Sequence, residues 1–295
     1  MQRMTAGLRG RWSKRSKQDQ QVDTFRAPRF ESLEARQLLS ATPGTEVYAD
    51  PTTDFVSVDA TRGPSGLSPA QVRQAYGISS ISGGLNGAGT TIAIVDAYND
   101  PNIASDLKAF DKQFGLADPP SFKIVNQNGG SALPAGNTGW AGEIALDVEW
   151  AHAIAPGANI LLVEATNNSM TNLMAAEDYA RSAAGVVVVS NSWGASEFSS
   201  ESIYDSHFVT PAGHNGVTFT VSAGDSGAPA EYPSASPNVL SVGGTTLKLT
   251  SSGAWSSETV WSGGGGGMSK YEASPAYQSG LGYAKRATPD VTYDA

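Results

Sequence analysis

The 295-residue chain has no cysteine, only three histidines, and no apolar run long enough to cross a membrane as a helix. Zero cysteine excludes disulfides and thiolate metal sites and leaves the redox compartment unread. The histidines His152, His207 and His214 show no metal-ligand spacing. Basic residues are scarce beyond the N-terminus. Residues 1–36 carry nine of the 19 Lys and Arg against four acids, so the rest holds ten bases against 24 acids, a body charge of -14. The whole chain stands at -9 with a sequence pI near 4.8, which excludes a general nucleic-acid binder. No Lys or Arg occurs from Ile124 to Ala180, although that stretch holds Glu143, Asp147, Glu149, Glu164, Glu177 and Asp178.

What is present suits a globular protein: 40% of residues are hydrophobic, enough for a sizeable core. Residues 1–41 form a basic, polar leader without a secretory apolar region, and 42–67 read as a Pro/Gly/Thr-rich linker. The leader ends in Phe30-Glu-Ser-Leu-Glu-Ala-Arg-Gln-Leu-Leu-Ser-Ala41, which resembles the LExR-x-LLSA segment near the N-terminus of many planctomycete proteins thought to be exported. That resemblance implies an extracellular or cell-envelope location; a disordered cationic tail is the alternative.

From Ser68 to Ala295 the pattern is one domain of alternating strands and helices. The β-branched run 90–96 predicts a strand, and Ile103, Leu107, Phe110 and Phe114 predict a helix over 103–114. A helix follows around 142–150, then a strand at 159–164, a helix near 171–184, and strands at 185–190 and 216–222. Continuous apolar strands between helices predict an α/β fold, doubly wound, with a mostly parallel sheet covered on both faces. Ligand sites in such sheets lie at the carboxyl ends of the strands. The segments there are Asp96-Ala-Tyr98, Asn191-Ser-Trp-Gly194 and Ala223-Gly-Asp-Ser-Gly227.

The stretch Gly142-Glu-Ile-Ala-Leu-Asp-Val-Glu-Trp150 sets Glu143 and Asp147 one turn apart on a segment otherwise largely apolar. Like charges at that spacing weaken a helix, and no local base can neutralise them. If buried, the pair should share a proton, with one pKa raised and one kept low, as acid–base catalysis requires. An acidic edge facing water, or a distant Arg, is the other possibility.

The tract from Gly142 to Glu149, followed by Ala153-Ile-Ala-Pro-Gly-Ala158, resembles the acidic helix of the sedolisins, serine-carboxyl peptidases of subtilisin-like fold. Ser190-Asn-Ser-Trp-Gly194, Ser222-Ala-Gly-Asp-Ser-Gly227, Trp261 to Ser269 with Pro275-Ala-Tyr-Gln278, and Pro289-Asp-Val-Thr-Tyr-Asp-Ala295 follow in the family's order. The resemblance implies an acid-acting serine endopeptidase with a polypeptide substrate. In it Glu143 is the general base, Asp147 orients it and Asp225 donates to the oxyanion, while Ser192, Trp193 and Gly194 line the substrate cleft. For the last three, ordinary core and turn packing is the alternative. Asp96 stands where subtilisins keep a triad Asp, but the His-bearing helix of subtilisins is absent, so Asp96 is expected to be structural. His152 is expected to be a satisfied core imidazole, and Gly263–Gly267 a loop passing close to the cleft.

Two departures stand out. The family's nucleophile lies in a Gly-Thr-Ser-x-x-x-Pro segment after Pro-Asp-Val, and no Gly-Thr-Ser occurs in this sequence. Thr245 and Thr246 are poor substitutes, and Ser226, beside Asp225, reads as a turn residue. The chain is therefore expected to be cut short before the nucleophile, incomplete at the C-terminal side of the fold and inactive as given. Calcium is implied for the complete family domain, with ligands outside this chain, so no metal ligand is assigned. Leader and linker also leave no room for the family's long propeptide. A monomer is expected. The alternative function is a non-catalytic surface or binding protein on a peptidase scaffold.

Overall fold

A computed structural model describes residues 46–52, 66–81 and 85–295. The basic leader, its LExR-x-LLSA segment and the remainder of the linker lie outside the described residues.

The elements run β1 (Asp50–Pro51), α1 (Pro69–Ala75), β2 (Thr91–Ala97), α2 (Ile103–Phe114), β3 (Phe122–Asn126), α3 (Thr138–Ile154), β4 (Asn159–Ala165) and α4 (Met170–Ser182). Then come β5 (Val186–Asn191), β6 (Trp193–Ser196), β7 (Thr218–Ser222), β8 (Glu231–Tyr232), β9 (Leu240–Leu249), β10 (Trp255–Val260), β11 (Gly267–Ala273), β12 (Lys285–Thr288) and β13 (Val291–Asp294). Ser68 opens α1 with a capping box shared with Gln71, and Pro69 occupies the first turn, where a missing N–H is harmless.

The main sheet is eight-stranded, in the order β10-β9-β7-β5-β2-β4-β3, with β13 paired to β9 as well. Every pairing in it is parallel except β10 with β9. Side chains alternate across it with period two. Ile94, Ile160 and Leu162 pack with Ile103 and Leu107 of α2 and Ile144 and Val148 of α3. Ala93, Val95, Leu161 and Val163 take the opposite face with Leu173, Met174, Ala176 and Ala180 of α4. Because both faces are covered, these strands read as unbroken apolar runs.

A small sheet of order β1-β6-β8 stands beyond the carboxyl end of β5. It brings residues from the expected linker onto the domain: Ala49 is fully buried in the core. The sequence pattern missed this sheet because strands of two to four residues have no periodicity to read.

Candidate active site

Asn137 caps α3, its side chain accepting from the backbone N–H of Gly139 at 3.0 Å and Trp140 at 3.2 Å. Trp140, Ile144, Val148 and His152, each a turn apart, are buried. Glu143 and Asp147 share the adjoining stripe, which faces the carboxyl ends of the strands. Glu143 is 1% exposed, while Leu146 is 36% exposed, so the helix keeps one wet flank.

Three carboxyl groups from two elements meet there. Asp96, at the end of β2, is fully buried, and neither of its oxygens has a hydrogen-bond partner among the described residues. Burial, and then the charges of Asp147, Glu143 and Glu164, push its pKa well above the ordinary carboxylate value. Asp147 is pushed up to about 7 by burial, against the lowering effect of a hydrogen bond from Ser192. Ser192 Oγ donates to Asp147 Oδ1 at 2.7 Å, and the buried Oδ2 is left without a partner among the described residues. Glu164, next along at the end of β4, is pushed up to about 8, again chiefly by burial. The ion pairs Arg181–Asp178 and Arg286–Asp290 belong to other elements. Near neutral pH this group holds protons rather than full negative charge, and one carboxyl can give a proton while another takes one.

The segment expected to line a cleft starts where β5 ends. The Trp193 side chain is fully buried, and its indole Nε1 donates to the Val95 carbonyl at 2.9 Å, one residue before Asp96. Trp193 therefore anchors the segment through its buried side chain. Gly194 and Gly224 both lie against the Glu231 carboxylate, so a side chain at either position would collide with it. This draws the turn carrying Asp225 to the segment Ser192–Gly194. The loop Gly263–Gly267 closes over the same turn: Gly265 N–H donates to Gly224 O at 2.5 Å, and a Cβ at Gly265 would strike the Ala223 carbonyl. Tyr98, just past Asp96, holds a left-handed φ of 62°, rare for a residue with a side chain. Tyr293 of β13 stands within electrostatic reach of Asp147.

Residues 87–295 match the pattern of the subtilase family. The fold superimposes on the structure of a Pseudomonas sedolisin, a serine-carboxyl proteinase complexed with two molecules of pseudo-iodotyrostatin. The TM-score is 0.68 and the identity 31%, over 78% of this chain and 71% of that one. The chain belongs to the subtilase family, in its sedolisin branch. Kumamolisin from Bacillus sp. (strain MN-32) is 31% identical over 265 residues, covering 80% of this chain and 45% of that protein. Sedolisin from Pseudomonas sp. (strain 101) is likewise 31% identical, over 78% of this chain and 44% of its own length. The chain thus spans less than half the length of these two relatives.

Within this sedolisin-type domain the candidates separate by position. Glu143, Asp147 and Ser192 come together, and Gly194 reaches the Asp225 turn through Glu231. Asp96, set apart as structural in the sequence, joins the carboxyl group; its place at a strand's carboxyl end was the available signal. Glu231 carried no signal, because only the folded chain brings it between two glycines. His152 is fully buried, with Nε2 2.9 Å from the Ala117 carbonyl and 3.3 Å from Asp111 Oδ1, so it is a core imidazole, but its buried Nδ1 has no hydrogen-bond partner among the described residues and the ring is only half satisfied. His207 Nδ1 lies 2.9 Å from Asp178 Oδ1, and His214 contacts the Ala183 and Asn215 carbonyls, both away from the site. Among the described residues no group of three or more His, Asp or Glu could hold a metal ion.

Proposed function

We propose that this chain carries the base, orienting and oxyanion-donating groups of a serine-carboxyl peptidase that cuts polypeptides at acidic pH. Glu143 takes the proton from a serine hydroxyl as its oxygen bonds to the scissile carbonyl carbon and the carbonyl π pair moves onto oxygen. Asp147 holds Glu143 in place and shares its proton. Asp225, donating while protonated, faces the oxygen on which charge develops. Glu143 then returns its proton to the leaving amine as the C–N bond breaks, and water hydrolyses the acyl-enzyme by the same steps in reverse. Ser192, Trp193 and Gly194 supply the wall on which the substrate backbone lies.

What supports these roles is the buried carboxyl group of Asp96, Glu143 and Asp147, with a neutral Asp147 bonded to the cleft through Ser192. Acidic pH suits both a proton-sharing pair and a protonated Asp225. The serine has no counterpart in the Gly-Thr-Ser context among these 295 residues, and the 295-residue chain alone is expected to show no turnover. Calcium is implied by the resemblance for the complete domain, no ligand to it is assigned here, and no step depends on it. We place the protein outside the cell or in its envelope, as a monomer, with 1–41 as leader, 42–67 as a linker whose residues 46–52 pack onto the domain, and 68–295 as the peptidase domain. No helix among the described residues is long and apolar enough to cross a membrane.

The alternative function is a binding protein on the same scaffold. Reading the coding sequence past codon 295 separates the two: an in-frame Gly-Thr-Ser-x-x-x-Pro supports the peptidase, and a stop followed by a stably folded product supports the binder. In a product that contains the serine, Asp225→Ala should lower kcat by roughly 10²–10³. Turnover of a fluorogenic peptide at pH 4 within twofold of the parent would remove Asp225 from the mechanism.

A further inference from the structure

A second group of carboxyls gathers where the chain leaves β6, passes through the short 3₁₀ helix Glu201–His207 and meets β11. Glu197, the residue after β6, reaches across to β11. Its carboxylate accepts from the Ser269 hydroxyl and, through Oε2, from the Lys270 backbone N–H at 3.0 Å. Ser269 Oγ in turn accepts from the N–H groups of Tyr271 at 3.1 Å and Glu272 at 2.8 Å. β6 begins at Trp193, in the segment expected to line the cleft, and β11 begins at Gly267, where the loop over the Asp225 turn ends. Glu197 is thus a strap between those two stretches.

Glu201 stands behind the strap and is fully buried. Its Oε2 accepts from the Phe198 N–H at 2.8 Å, while its Oε1 meets no donor among the described residues. Its carboxyl is bonded to that of Glu197, and two carboxyls bond only through a proton held between them. Glu272, 6% exposed, has a buried Oε1 that also meets no donor among the described residues. Facing the group are Asp205 from the same 3₁₀ helix, Tyr232 of β8, whose hydroxyl donates to Asp205 Oδ1 at 3.1 Å, and Lys285 of β12. The Lys270 side chain is exposed. Burial pushes Glu201 up to about 9, with Glu197 and Glu272 adding to the rise against the Phe198 N–H. Burial, then the charges of Asp205 and Glu197, push Glu272 up to about 7 against Lys285.

We propose that Glu201 is a positioning residue whose retained proton keeps Glu197 seated on β11, so that acid straps the cleft strand to the glycine loop and alkali releases them. Both Glu201 and Glu272 hold their protons more tightly in the folded chain than in the unfolded one. The strap is therefore fully present in acid and is lost as pH rises, from about 7 for Glu272 to about 9 for Glu201. Once Glu201 ionises, the shared proton is gone and two carboxylates face each other out of water. The repulsion is relieved when Glu197 swings away, which gives up its bonds to Ser269 and Lys270. This rests on the peptidase reading only in taking Ser192–Gly194 and the Asp225 turn as the cleft. The strap itself is separate from Glu143 and Asp147.

A chain without cysteine allows a direct test on the full protein. Ser200→Cys and Lys270→Cys, both at exposed positions, carry a spin label on each side of the strap, and pulsed electron resonance reads the distance between them. At pH 5 the distribution should be narrow, and at pH 9.5 its width should grow roughly twofold or more while far-UV circular dichroism stays unchanged. Glu201→Gln in the same labelled chain keeps an acceptor for the Phe198 N–H and an amide donor for Glu197 without a charge to gain, so it should stay narrow at both pH values. An equally narrow distribution in the parent at both pH values, or a Gln variant that widens as the parent does, would overturn the proposal. So would widening that comes only with loss of the circular dichroism signal. If Glu201→Gln does not fold, the parent decides alone: widening must set in above pH 7, and none up to pH 9.5 overturns the strap. No readout here involves turnover, so the outcome is independent of the roles proposed for Glu143 and Asp225.

Discussion

Replacing Asp147 by Asn separates a buried, proton-holding carboxyl from an ordinary surface acid. Asp147 releases its proton at about 7 in the folded chain against a reference value of 3.8. The folded state therefore binds more protons than the unfolded state between those values, and stability falls as pH rises through that window. About three pKa units correspond to on the order of 4 kcal/mol at pH 8, with part of it shared with Asp96, whose own shift depends on Asp147. Asparagine keeps an acceptor for the Ser192 hydroxyl and cannot ionise. Asp147→Asn should then melt within a few degrees of the parent at pH 4. At pH 8 it should melt roughly 8–16 °C higher, taking about 2–4 °C per kcal/mol for a domain of this size. Thermal melts by circular dichroism at the two pH values give the answer. A variant offset that is the same at both pH values would show that Asp147 titrates as it does in water, and the acid–base role would go with it.

Other expected outcomes are smaller or local. Asn137→Ala removes the acceptor for two N–H groups at the start of α3 and should cost about 1 kcal/mol, read as a lower urea midpoint with unchanged slope. Gly265→Ala forces a methyl group onto the Ala223 carbonyl and should cost ~1–3 kcal/mol, whereas Gly280→Ala, with open space around it, should change the melting temperature little.

The helix over Ile103–Phe114 follows the apolar spacing residue for residue, and β2, β4, β5 and β7 fall within two residues of the sequence runs that predict them. These elements are buried on a face or stripe of their own, so local composition carries their signal. β3 and β9 are quieter. Phe122–Asn126 interposes a lysine, and β9 contains Gly243-Gly244, where a Cβ would strike Pro289 and Trp261 of distant segments. The acidic helix was legible as an anomaly, two carboxyls without a nearby base. The sedolisin resemblance then assigned its roles.

The sequence alone determined that this is an α/β domain of sedolisin type with an acidic helix and no local base to neutralise it, because apolar periodicity and charge depletion are properties of neighbouring residues. Only the tertiary structure decided that Asp96 joins Glu143 and Asp147, that Ser192 bonds Asp147 across 45 residues, and that Asp50–Pro51 pairs with β6. Those contacts join segments far apart in the chain, and what brings them together is the strand order of the sheet, which no local window of sequence encodes.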